Sequence, residues 1–69
     1  MNDQQLLALC HGERDQIEFL EEQVYDSVVE GICRECHGTQ EAEPDATANV
    51  CYECGERKVV SCLVLAGLI

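Results

Sequence analysis

Two cysteine pairs, Cys33 with Cys36 and Cys51 with Cys54, share a C-x-x-C spacing and are separated by 14 residues. In such a knuckle both sulfurs converge on one side of a tight turn, whose amides donate to the thiolates. The spacer is long enough for the chain to fold back and place both knuckles around one ion. Four thiolates complete a tetrahedral shell with no position left for water or substrate. The expected ion is therefore structural and not catalytic, with zinc the default and iron the other metal that accepts four sulfurs. Cys33, Cys36, Cys51 and Cys54 are thus the expected ligands of one structural Zn²⁺. No constellation of nucleophile, base and orienting group is legible elsewhere, so the expectation is a protein that is not an enzyme.

The residues beside the quartet carry weaker signals. Gly55 follows the second knuckle and suits its turn, whereas the first is followed by His37 and then Gly38, a less regular arrangement. Cys33 to His37 also spells C-x-x-C-H, the haem-attachment pattern, but that reading leaves the second pair unexplained. His37 reads as a loop residue, since four thiols already fill the shell. Cys10 falls on an apolar helical stripe and Cys62 in an apolar segment, so both read as small core residues.

A chain of 69 residues buries too little apolar surface to offset its conformational entropy comfortably, which is why a metal staple matters. Fourteen acidic residues against four basic ones give a formal charge of -10. Phosphate binding relies on clustered cations, and Arg14, Arg34, Arg57 and Lys58 are scattered except for the last two. Nucleic acid is disfavoured, and a protein with a basic surface is the expected partner. The alternative is a nucleic-acid-binding zinc ribbon using Arg34, Arg57 and Lys58. Met1 to Leu9 shows no export signal, and the uncharged run Val59 to Ile69 is too short to span a bilayer. The expected location is the reducing cytoplasm, where cysteines bind metal in preference to forming disulfides.

The elements that must position the quartet divide the chain in two. Residues 1–31 read as an acidic amphipathic helical segment. Asn2 and Gln5 have capping-box spacing, Leu6, Leu9 and Cys10 form an apolar stripe, and Gly12 either ends the helix or is crossed at a cost of roughly 1 kcal/mol. Asp15 and Glu18 repeat the start signal, after which Ile17, Leu20, Val24 and Val28 form a stripe that Gly31 ends. Residues 32–69 read as a four-cysteine zinc ribbon, with a β-hairpin or irregular loop around Glu43-Pro44-Asp45 and a strand over Arg57 to Val60. Ser61 either continues that strand or caps a short helix. The tail Leu63 to Ile69, apolar on all sides, is expected to bury itself against the long helix or in a homodimer. The fold class is a small metal-stapled α+β domain: an N-terminal helix or helical hairpin, then a zinc ribbon with a short β-hairpin.

Asp26-Ser27-Val28, Gly31-Ile32-Cys33, Glu43-Pro44-Asp45, Cys51 to Cys54 and Ser61 to Ile69 together resemble a family of small uncharacterised zinc-ribbon proteins of bacteria and their phages. The resemblance covers roughly residues 25–69 and implies the four-cysteine zinc site and a bacterial or phage origin, with no established activity. An acidic helix followed by a four-cysteine finger is also similar to the short phage and plasmid relatives of the DnaK-suppressor transcription regulators, which act on RNA polymerase. Here the spacer is shorter, and the apolar tail replaces their polar terminal helix. Cys33 to Gly38 further resembles one repeat of the cysteine-rich region of DnaJ-type chaperones, with Gln40 where that repeat has glycine.

Overall fold

The computed structural model describes residues 2–25 and 27–69. Helix α1 spans Asp3–His11 and α2 spans Gln16–Gln23. Strands follow at β1 Val29–Cys33, β2 Thr39–Ala42, β3 Asn49–Val50 and β4 Arg57–Ser61, and a one-turn helix α3 covers Cys62–Leu65. The architecture is the expected small α+β domain, with two N-terminal helices and one antiparallel sheet.

The helices start where capping chemistry places them. Asn2 accepts from the Gln5 amide while the Gln5 side chain accepts from the Asn2 amide, each at 2.9 Å, satisfying two otherwise orphaned donors. Asp15 accepts from the amides of Ile17 and Glu18. Gly12, at φ +58°, breaks the chain between the two helices.

The interior of the helical half departs from the expected stripes. Leu6, Leu7 and Cys10 are the buried residues of α1, while Leu9 is 48% exposed. In α2 the buried residue is Phe19. Ile17 is 68% exposed, and Val24 and Val28 are also open to solvent. With Phe19 in the interior, Leu20 beside it stays partly buried against the same core, and Ile17 and Val24 face outward.

The expected helix over residues 15–31 is likewise too long. It ends at Gln23, and Gly31 lies inside β1, a strand paired on both sides. Tertiary pairing overrides the helical spacing of Val28: Val29 and Ile32 are β-branched and suit a pleated surface. A Cβ at Gly31 would meet the Ala42 Cβ at 2.9 Å and the Val60 carbonyl at 3.0 Å, so only glycine allows this close approach. The Gln23 side chain accepts from the Glu30 amide at 2.9 Å, tying the end of α2 to β1. The Asp26-Ser27 step of the family resemblance includes Asp26, which lies outside the described residues.

The sheet order is β2-β1-β4-β3. The residues between the cysteine pairs do not form a hairpin of their own. Their first strand, β2, pairs back onto β1, and their last, β3, pairs forward onto β4. Each knuckle is therefore the tip of a separate hairpin. Antiparallel pairing of β1 with β4, with Cys33 opposite Val59 and Ile32 opposite Val60, brings both tips to the same end of the sheet.

That register also separates two interiors. Ile32 and Val60 join Leu6, Leu7, Phe19, Val29, Cys62, Leu63 and Leu65 in the helix-side core. Cys33 and Val59 join Ala42, Ala46 and Cys51 in a smaller cluster beneath the knuckles. Ser61 ends β4 and caps α3: its hydroxyl accepts from the Val64 amide at 3.1 Å and donates to the Pro44 carbonyl. The same residue's amide donates to the Ala46 carbonyl at 2.9 Å, so one fully buried serine fastens the Glu43-Pro44-Asp45 turn to the sheet. Ser61→Ala leaves a helix amide and a turn carbonyl without this partner. It is expected to cost about 1–3 kcal/mol, read as a lower thermal midpoint of the metal-loaded protein with the metal content unchanged.

Candidate metal centre

The two knuckles are built alike, bond for bond. In the first, the Cys33 amide donates to the Gly38 carbonyl at 2.9 Å and the His37 amide to the Cys33 carbonyl at 3.0 Å. In the second, the Cys51 amide donates to the Glu56 carbonyl at 2.8 Å and the Gly55 amide to the Cys51 carbonyl at 2.9 Å. Both turns need a positive φ directly after the second cysteine, and Gly55 adopts +78° there. His37 adopts +63° at the matching position. The irregular first knuckle of the sequence is thus regular in backbone, with a histidine held where glycine is favoured. Relieving that conformation by His37→Gly is expected to raise the thermal midpoint, by the equivalent of about 1 kcal/mol. If His37 were itself a ligand, the same substitution would lower metal affinity instead.

Amides converge on the sulfurs. Those of Glu35 and Cys36 donate to the Cys33 Sγ at 3.3 and 3.5 Å. In the same relation, those of Glu53 and Cys54 donate to Cys51, while Gly38 donates to Cys36 and Glu56 to Cys54. These donors favour thiolate over thiol. The amides of Cys54 and Glu53, acting against burial, bring Cys51 down to about 7. At Cys36 the Gly38 amide pulls in the same direction, but the bond with the Cys51 sulfur and burial prevail and push the thiol up to about 12. Negative charge thus settles first on the Cys51 sulfur, while Cys36 and Cys54, both raised, hold their protons.

The four sulfur atoms all lie within 4.8 Å of one another. Across the knuckles, Cys33 Sγ sits 3.6 Å from Cys54 Sγ, and Cys36 Sγ 3.5 Å from Cys51 Sγ. Four sulfurs at the usual zinc distance of about 2.3 Å would stand about 3.8 Å apart at the corners of a tetrahedron, so the donor set fits such an ion. The first cysteine of each pair is buried and the second exposed, which places the cluster at the surface with one side open to solvent.

Surface pairs brace the first knuckle. Arg34 contacts Asp3 of α1 at 2.8 Å, and Lys58 of β4 contacts Glu35 at 3.0 Å. Gln40 ties β2 to the second knuckle, donating to the Val50 carbonyl and accepting from the Tyr52 amide, each at 3.0 Å. Nothing in the spacing of Gln40 announces this role.

The remaining cysteines stand apart. Burial pushes the Cys10 thiol up to about 12 and that of Cys62 up to about 11. Both are protonated members of the helix-side core at neutral pH.

Fold and site together define a small α+β domain with a four-cysteine cluster of the kind that binds zinc. Comparison with family models, curated proteins and solved structures gave no match. Among the described residues no helix is long and apolar enough to cross a membrane.

Proposed function

We propose that this protein is a non-enzymatic protein-interaction module, folded around one structural Zn²⁺ held by Cys33, Cys36, Cys51 and Cys54, and that its partner presents a basic surface. The observation that carries the reading is the cluster of four sulfurs within 4.8 Å. Protein atoms would fill every position of a tetrahedral ion there, leaving none for substrate. The charge of -10 supports a basic protein as partner. Ion pairing weakens the nucleic-acid alternative: of Arg34, Arg57 and Lys58, the first and last already engage Asp3 and Glu35. The family resemblance supports a bacterial or phage-infected cytoplasm as the setting and a host transcription or defence protein as the target.

Elemental analysis of purified protein should give about one zinc per chain. Affinity capture from a host lysate at low and physiological salt should recover a basic protein, and a gel shift with DNA or RNA at low salt should be blank. A salt-dependent shift with no protein captured would reverse the order of the two readings.

A further inference from the structure

The stripe Ile17, Leu20 and Val24 has helical spacing, but the fold uses only Leu20, which is partly buried against the helix-side core. Phe19 occupies the interior instead, while Ile17 and Val24 are 68% and 50% exposed. The end of the chain supplies the opposite wall. Gly67, at φ +76°, closes α3 by donating to the Val64 carbonyl, and the Leu68 amide donates back to the Leu63 carbonyl. This turn sets Leu68 across from α2, so that Ile17, Leu20, Glu21, Val24 and Leu68 line a groove of about 250 Å³. Leu68 is itself 56% exposed. From Ile17 to Val24 the floor runs seven residues, about 10 Å or two helical turns.

The rim is acidic. Glu18, Glu21 and Glu22 border an adjoining depression with Tyr25. Glu22 is shared with Arg14, whereas Glu18 and Glu21 form no ion pair among the described residues. This charge discriminates between occupants. A second copy would have to present the same face, setting Glu18 and Glu21 against their equivalents in a molecule that also carries a charge of -10. A segment with apolar side chains on one face and lysine or arginine beside them meets complementary charge, and the 88% exposed Tyr25 ring offers a cation a further contact.

We infer that this groove receives a basic amphipathic helix of the partner, two to three apolar side chains on Ile17, Leu20, Val24 and Leu68 and its cations toward Glu18 and Glu21. The inference rests on the protein-interaction reading and gives that reading a location and a mode, helix in groove.

The test uses the zinc-loaded full chain and a synthetic helix of leucine and lysine with all leucines on one face. A peptide of identical composition with its leucines spread around the helix is the control. Amide NMR shifts should centre on residues 17–24 and 68–69 for the first peptide and be far smaller for the second. Ile17→Glu, at an exposed site in the first turn of α2 where a carboxylate is tolerated, should keep the metal and the spectrum yet weaken binding at least tenfold. Glu21→Gln should flatten the salt dependence. Equal binding of both peptides, shifts centred elsewhere, no binding at low salt, or a dimer that Ile17→Glu dissolves would each overturn the groove. Lysate capture separates this from the broader reading: if Ile17→Glu captures the same basic protein as the parent, the groove fails and the interaction reading stands. If nothing is captured while the peptide still docks, the interaction reading fails and takes the partner helix with it, leaving the groove only its selectivity for a basic amphipathic helix.

Discussion

Removing the metal is expected to unfold the whole chain and not only its cysteine-bearing half. The cluster beneath the knuckles consists of Cys33, Ala42, Ala46, Cys51 and Val59. Two of these five are the proposed ligands, and the others are two alanines and a valine, so little apolar area holds the hairpin tips together without the ion. Zinc binding by small domains is worth roughly 10–16 kcal/mol, comparable to the whole net stability of about 5–15 kcal/mol typical of a domain. The helices cannot stand alone either, because Val29, Ile32 and Val60 of the sheet line their core. Chelation should therefore collapse the amide NMR dispersion throughout, α1 and α2 included, and Cys51→Ser should reproduce it. Cys10→Ala, outside the quartet, should keep one zinc per chain. A metal-free protein that retained native dispersion would refute the staple.

The pH dependence has a defined sign. Zinc bound by the four cysteines would hold each sulfur as thiolate, which depresses its pKa in the loaded protein, so the metal's stabilisation would be present at higher pH and lost as pH falls through the loaded values. The chain without metal, expected to be unfolded, carries its cysteines as ordinary thiols that are mostly protonated at neutral pH, so incoming metal must displace protons from the sulfurs. Apparent affinity should rise from pH 6 to pH 8. A flat profile would mean that the sulfurs are not the ligands.

The chemistry of this chain was more legible in its sequence than its packing. The paired C-x-x-C spacing identifies which sulfurs meet because knuckle geometry is local, set by a few backbone hydrogen bonds within each turn. The same locality makes Asn2, Asp15 and Ser61 readable as caps. Strand partners depend on distant residues, and there local spacing misled: Val28 matched the stripe of α2, but β1 begins at the next residue because β2 and β4 supply its pairing. The spacer stays open between a hairpin and an irregular loop for the same reason. Its two strands each belong to the neighbouring knuckle, and nothing in residues 39–50 alone says that they pair outward and not with each other. Periodicity also cannot say which of two apolar faces points inward. In α2 the aliphatic stripe satisfies the helical period, but Phe19 is the fully buried residue, and of the stripe only Leu20 packs partly against the same core.

That last distinction sets the second large expected effect. Phe19 is 1% exposed and packs in the helix-side core with Leu6, Leu7 and Leu63. Its ring lies 6.3 Å from that of His11 and under the Arg14 guanidinium at 5.6 Å, so it links the turn between α1 and α2 to the interior. Phe19→Ala removes the largest fully buried side chain, at an expected cost of about 3–5 kcal/mol from lost transfer energy and the cavity left behind. At roughly 4–8 °C per kcal/mol for a domain of this size, the zinc-loaded variant should melt well below the parent or fail to fold. Ile17→Ala, on the open stripe, should stay within about 0.5 kcal/mol. Thermal melts of the two variants at equal metal content read out the orientation of α2 directly. A larger loss for Ile17→Ala than for Phe19→Ala would mean that the stripe faces inward, and the proposed groove would be lost with it.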